Sequence, residues 1–338
     1  MDEHIHCSLI LRKVLTWGVL VTALPILCSC SPSGADYTIT LGGDIMLSRG
    51  GFPLFHSGEE AGDPWGEIMN SPDFSQSETS PPDYFFANLE SPFGEAPAEA
   101  SMMNLCSSAE EVRVLLSGQL DLLSLANNHQ LDCGPIGASE TQAVLEVNHI
   151  RFAGPGMTPS YLETPTGKIA VVAAEDVSAR VDIEGLIAQI KKARQESQVV
   201  VVSLHWGNEY QAGPDPAQED LAQRLAGAGA DLIWGHHPHV LQKMEWLKTP
   251  GGRETLVIYS LGNLLADQWM LQDAQRSVLV RISYKNSSIL KIEILPLEIK
   301  RAGPGLVRIE DAQDLEGVYR RLKVAWLKNH GVLIQFPE

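Results

Sequence analysis

Asp231-Leu232-Ile233-Trp234-Gly235-His236-His237-Pro238-His239-Val240-Leu241-Gln242 packs three histidines into four positions directly after a short apolar run. Residues 231–234 read as the end of a buried strand, and Gly235 permits a sharp backbone turn after it. The histidines then sit at a strand tip, where open α/β sheets place ligand sites. In extended backbone His237 and His239 share one face, and Pro238 between them stiffens the loop. Both imidazoles are therefore candidate metal ligands.

Outward from this stretch the same pattern recurs. Residues 37–41 form a β-rich run that breaks into Gly42-Gly43-Asp44, and residues 84–90 form a second run that delivers Asn88 and Glu90 two apart. Residues 121–125 read as a short buried strand followed by Ala126-Asn127-Asn128-His129-Gln130-Leu131-Asp132-Cys133-Gly134. Residues 198–204 are apolar and β-branched, as in a central strand covered on both faces, and run into His205-Trp206-Gly207-Asn208-Glu209-Tyr210. Residues 255–261 lead to Gly262-Asn263.

Between these runs lie helical segments. Ser107 with Glu110 reads as a capping box for a helix reaching Gly118, and residues 135–148, 183–195 and 217–227 read as further helices. Residues 276–284 and 289–299 read as a hairpin, and 311–330 as a final helix that packs Trp326 and Leu327 on the body. Strands alternating with helices predict an α/β fold with a largely parallel inner sheet and polar residues gathered along one edge.

The chain has 338 residues and a formal net charge of -17. So acidic a surface repels phosphate backbones, which argues against nucleic acid as a partner. Arg12 and Lys13 precede an apolar run over 14–27 that ends in Leu27-Cys28-Ser29-Cys30. This reads as an export signal, too short for a comfortable bilayer-spanning helix. It resembles a bacterial lipobox, with Cys30 as the acylated residue, although Cys28 at the second position is unusual. An uncleaved N-terminal anchor is the alternative, and either places the body outside the cytoplasm as a membrane-anchored protein, at the cell surface or in the periplasm. The expected organisation is a signal peptide over 1–30, a tether over 31–36, one domain over 37–300 and a C-terminal extension over 301–338. An oxidising compartment permits a Cys106–Cys133 bridge.

The gathered side chains are Asp44, Asn88, Glu90, Asn128, His129, Asp132, His205, His237 and His239. Carboxylate, amide and imidazole donors without thiolate suit manganese, iron or zinc, and they are numerous enough for one or two ions. A bridged pair activates water and neutralises charge on a phosphate ester. The sequence has no Gly-x-Ser-x-Gly elbow and no Gly-Lys-Ser/Thr phosphate loop, which argues against an α/β-type serine hydrolase and nucleotide-driven chemistry.

Gly43-Asp44, Asn88-Leu89-Glu90, Asn127-Asn128-His129 through Asp132-Cys133-Gly134, His205-Trp206-Gly207, Gly235-His236-His237-Pro238-His239 and Ser260-Leu261-Gly262-Asn263 resemble, in order, the motifs of the CapA family. These are bacterial proteins of poly-γ-glutamate capsule synthesis. The resemblance runs over residues 37–299 and implies a calcineurin-like metallophosphoesterase fold, with mixed β-sheets packed in a sandwich flanked by helices. It implies that Asp44 and His239 hold one ion, that His205, His237 and Asn128 hold the other, and that Glu90 stands at the bridging position. His129, oriented by Asp132, then stabilises charge or donates a proton to the leaving oxygen. Arg49, Asn88, Trp206, Glu209, Tyr210 and Asn263 are candidates to line the substrate pocket. Two positions depart from the pattern: Asp44-Ile45-Met46 lacks the usual Asp-x-His nitrogen, and Gln130 stands where an acidic residue is common.

The expected function is a metal-dependent hydrolase or transferase in capsule or surface-polymer synthesis or export, acting on an anionic polymer. The alternatives are a non-catalytic polymer-binding or assembly subunit of a membrane synthase, and a periplasmic phosphodiesterase unrelated to capsule.

Overall fold

A computed structural model describes residues 34–48, 64–69, 81–97, 103–300, 305–324 and 333–335. The expected export signal, Cys30 and Arg49 lie outside these residues, as do Trp326 and Leu327. The described residues form one compact unit. In chain order its first elements are β1 (Tyr37–Ile45), α1 (Gly66–Met69), β2 (Asp83–Leu89), α2 (Val112–Ser117), β3 (Leu122–Ser124), α3 (Gly134–Val147), β4 (Arg151–Ala153), β5 (Ser160–Thr164) and β6 (Gly167–Glu175). There follow α4 (Ile183–Glu196), β7 (Val199–His205), α5 (Pro216–Ala228), β8 (Leu232–His236), β9 (Met244–Lys248), β10 (Glu254–Ile258) and β11 (Asn263–Leu265). The chain ends with β12 (Arg276–Lys285), β13 (Ser288–Ile299), β14 (Leu306–Arg308), α6 (Ala312–Arg321) and β15 (Leu333–Gln335).

Two mixed sheets pack face to face. One runs β14-β13-β12-β1-β2-β3-β4, with β11 paired to β1 and β15 to β13; the other runs β5-β6-β7-β8-β10-β9. β1 to β4 run parallel in the first and β6, β7, β8 and β10 in the second, while β12 joins β1, β5 joins β6 and β9 joins β10 antiparallel. Between the sheets Ile39, Leu41 and Phe86 meet Val199, Val201 and Trp234, all buried. The outer face of the first sheet is covered by α2 and α3 through Leu115 and Leu145, that of the second by α4 and α5 through Ile190 and Leu225. These layers explain why β7 is apolar at nearly every position: it faces the partner sheet on one side and helices on the other.

Helix boundaries follow from caps. Asp182 accepts a hydrogen bond from the Gly185 amide at the start of α4, and Asp215 with Gln218 forms a full capping box on α5. Ahead of α2 the cap is Ser108 rather than Ser107: Ser108 accepts from the Glu110 amide, while Ser107 bridges to Phe93 in an isolated β-pair. The bridge of Cys106 and Cys133 is formed, with Cα atoms 5.1 Å apart.

Two glycines act by close approach. A Cβ at Gly43 would stand 1.9 Å from the Gly262 carbonyl oxygen, and one at Gly235 would stand 2.1 Å from that of Tyr259. Gly235 is therefore not the turn its position predicts. β8 continues through it to His236, and the backbone turns at His237 and His239, whose φ angles are 92° and 56°.

Candidate metal centre

The parallel strands of both sheets end at one place. Asp44 lies within β1 rather than just beyond it, paired with Asn88 of β2 on one side and Asn263 of β11 on the other. A register shift at Gly42-Gly43 sets it there. Glu90 follows β2, Asn127 and Asn128 follow β3, His205 ends β7, and the histidine run ends β8.

Asp44, Glu90, His205, His237 and His239 are all at most 5% exposed. One donor atom from each of Asp44, Glu90 and His205 falls within 4.8 Å of the others, and so does a second set from Glu209, His237 and His239. The two sets adjoin: Asp44 Oδ2 is 3.2 Å from His239 Nδ1 and accepts from the His237 amide at 3.2 Å. The rings of His205 and His237 lie 4.8 Å apart between centroids. Asn128 Oδ1 stands 2.7 Å from His205 Nε2. His237 and His239 converge because both adopt left-handed backbone, not because extended chain puts them on one face.

The electrostatics are those of a site built for a cation. Burial, and then the neighbouring Asp44 carboxylate, pushes the Glu90 carboxyl well above its usual range. Burial opposes ionisation of Asp44 as well, yet His236 and His239 hold it well below the usual range. The His205 imidazole is driven well below its ordinary value by burial, and that of His237 falls to about 4 for the same reason and because of His239. Burial also works against a charged His239, but Glu90 and Asp44 overcome it and raise that group to about 9. Glu90 Oε2 and His237 Nδ1 are buried without a hydrogen-bond partner. Lone pairs left unsatisfied beside two crowded carboxylates fit a divalent cation, and oxygen with imidazole donors fits a borderline one.

Other candidates brace these groups. Asn88 Nδ2 donates to Asp44 Oδ1 at 2.8 Å and, at 3.4 Å, to Glu90 Oε1. Asn263 Oδ1 lies 3.1 Å from His239 Nδ1, while its amide nitrogen donates to Gln268 and the Ala274 carbonyl. Both asparagines are fully buried and brace the donors around them. Trp206 donates to the Tyr259 carbonyl at 3.0 Å and stacks on that ring. With Glu209 and His237 it lines a cavity of about 630 Å³ that also takes in Asp176 and Arg180. His129 Nδ1 is 2.8 Å from Asp132 Oδ2, and both remain partly exposed. Asp132 is itself fixed by the Leu105 amide at 2.6 Å.

Two residues gain a role the sequence did not assign them. His236 Nδ1 stands 3.4 Å from Asp44 Oδ1, edge-on to Trp234, with both ring nitrogens unpartnered. It was visible only as the third histidine of its run. Asn127 donates to the Leu89 carbonyl at 2.8 Å and to Asn88 Oδ1 at 3.3 Å, and accepts from the His129 amide, tying the β3 loop to the cluster.

Residues 38–268 match the bacterial capsule synthesis protein family PGA_cap. This chain belongs to that family. Its relatives include the PGA biosynthesis protein CapA of Bacillus subtilis, 30% identical over 74% of this chain and 71% of that protein. The capsule biosynthesis protein CapA of Bacillus anthracis is 31% identical over 84% of this chain and 72% of its own length. Among solved structures a phosphatase from Mycoplasma pneumoniae superposes with a TM-score of 0.51 at 11% identity, over 84% of this chain and 98% of that one. The PGA_cap chain thus has a calcineurin-like metallophosphoesterase fold, with the family's motifs at the converging strand ends.

Proposed function

We propose that this PGA_cap protein is a membrane-tethered, extracytoplasmic, metal-dependent hydrolase or transferase acting in the synthesis or export of a poly-γ-glutamate type of capsule. The observation that carries the reading is the meeting of Asp44, Glu90, His205, His237 and His239 in one buried cluster beside a cavity of about 630 Å³. Its capsule context rests on the CapA relatives in two Bacillus species. The Cys106–Cys133 bridge supports an oxidising compartment, and the sequence over 12–30 supports the lipid tether.

Asp44, Glu90, His205, His237 and His239, with Asn128 and Glu209 within reach, would hold one or two divalent ions of manganese, iron or zinc. Bound there, such an ion supplies Lewis acidity toward a phosphoryl or carbonyl oxygen. The chain's own groups do the rest. Asn88 and Asn263 fix the carboxylates and His239 in place. His129, aligned by Asp132, presents its Nε2 to donate a proton to the leaving oxygen. Trp206 and Gly207 form one wall of the cavity.

The test is turnover of a panel of phosphoesters and γ-glutamyl polymers by purified protein, with and without chelator. Metal-dependent cleavage or transfer that disappears in His237→Ala supports the reading. A metal-loaded protein inert on every member of the panel overturns it.

One observation favours a second reading, a polymer-binding subunit of a membrane synthase. Met46, in place of the usual histidine, is 2% exposed and packs with Leu105 and Ala266, so an apolar contact occupies the position of a nitrogen donor. That protein would hold polymer without turnover.

A further inference from the structure

A net charge of -17 sets the surface against any polyanion, so a polyanion needs a local reversal of sign. One exists on the C-terminal side of the domain. A cavity of about 300 Å³ is walled by Arg276 of β12, Arg320 and Arg321 from the last turn of α6, and Lys323 just beyond it, with Leu241 and Asp273. Arg276 pairs with Asp314 and, at 3.3 Å, with Asp273, which also takes Arg321 at 3.1 Å. Arg320 and Lys323 are exposed and make no ion pair among the described residues. Basic residues in a last helical turn complement the helix dipole, which accounts for Arg320 and Arg321. It does not account for Arg276, which comes from a strand, or for Lys323, which lies past the helix end in left-handed backbone.

Two segments that line the recess, at Ala212 and Leu241, run on from the metal cluster. Leu241 lies two residues after His239 and pairs with Leu261. Ala212 closes the loop that carries Glu209, held by a hydrogen bond from Gln242 Nε2 to the Gln211 carbonyl at 2.9 Å. Asn263, which touches His239, donates at 2.9 Å to the carbonyl of Ala274, the neighbour of Asp273. The segments that face the cations across the recess, at Ala212 and Leu241, thus continue from the loops that present Glu209 and His239.

We propose that the recess bounded by Arg276, Arg320, Arg321 and Lys323 is a docking subsite for the carboxylates of a polycarboxylate chain, alongside the metal cluster. The inference rests on the capsule-polymer reading and adds where the polymer is held. Guanidinium groups pair with carboxylates through two parallel hydrogen bonds, and repeating carboxylates engage several cations at once. Arg320 and Lys323, free of acidic partners, make the first contact, and Arg276 and Arg321 exchange their aspartates for it.

The experiment measures binding of fluorescent poly-γ-glutamate oligomers to the full chain by anisotropy, beside polyglutamine and polyphosphate of matched length. The variant is Arg320→Glu with Lys323→Glu, both exposed and without an ion pair among the described residues, and melting temperature and metal content are read in parallel to show that the fold is kept. The subsite predicts binding that weakens about tenfold in the variant and in raised salt, with metal content unchanged. Polyglutamine should not bind. Equal affinity of variant and wild type overturns the proposal, as does tighter binding of polyphosphate than of polyglutamate, or no binding by the wild type. Chelation separates the two readings. Polymer binding that survives removal of metal, in a protein with no turnover, keeps this subsite and removes the enzyme. Turnover untouched by the double variant does the reverse.

Discussion

Glu90→Gln separates a metal ligand from a structural carboxyl. The side chain is fully buried, one oxygen has no partner, and the other accepts from Asn88 at 3.4 Å, a bond that Gln retains. Burial and Asp44 raise its carboxyl above the ordinary range. An acid held protonated in the fold but ionised in the unfolded chain costs stability as pH rises above its unfolded value. Gln removes the ionisation that burial and Asp44 oppose, and with it that cost, so without metal the variant should be at least as stable as the wild type at pH 7. With metal the order reverses. At a hundredfold excess over its dissociation constant a native-state ligand stabilises by about 2.7 kcal/mol, and in a unit of this size that raises the melting temperature by about 5 °C. Losing one charged ligand should weaken affinity at least about a hundredfold. The same metal concentration then merely equals the variant's dissociation constant, and the stabilisation falls to about 0.4 kcal/mol, less than about 1 °C. Scanning calorimetry of both proteins, stripped and reloaded, reads both signs. A variant that is destabilised when stripped, yet gains the full metal shift, refutes Glu90 as a ligand.

Three further outcomes follow from the same geometry. His239, raised to about 9, carries a proton at pH 7 in the stripped protein, and a ligand must shed it, so metal binding should release about one proton; titration calorimetry in buffers of different ionisation enthalpy measures it, and no buffer dependence contradicts the assignment. Asp132→Asn keeps the bond from the Leu105 amide but loses the charge beside His129, so kcat should fall about 10–100-fold with metal content unchanged and the pH–rate profile displaced; an unaltered profile excludes the pair from proton transfer. The Cys106–Cys133 bridge closes a loop with a sequence separation of 27 and pins the segment holding Asp132. Replacing both cysteines by serine should cost about 3.5 kcal/mol, about 7 °C in melting temperature, and an unchanged midpoint would show that the bridge does not form.

Most of the fold was legible because its strands are extreme. β7 is apolar on both faces, and β1, β2, β3, β7 and β8 each run into a polar cluster that breaks the apolar run. β4 and β5 were missed: β4 has three residues, and β5 mixes buried and exposed positions without clean alternation. The site was legible as a set of donors but not as an arrangement. Glu209 reads in sequence as a pocket residue, yet it joins His237 and His239 because the backbone turns left-handed at 237 and 239, a conformation that hydrophobic periodicity does not encode. Gly235 misled for a related reason. A glycine demanded by the approach of Tyr259 and Trp206 cannot be told from a turn glycine without the neighbouring strand in view.

Whether these buried donors hold a divalent cation is read from anomalous scattering by crystals loaded with manganese or zinc. A peak is expected within bonding distance of Asp44 and His205, lost in Glu90→Gln crystals grown at the same metal concentration. Clear density for the side chains with no peak among them, with metal in large excess over protein, would contradict the metal assignment.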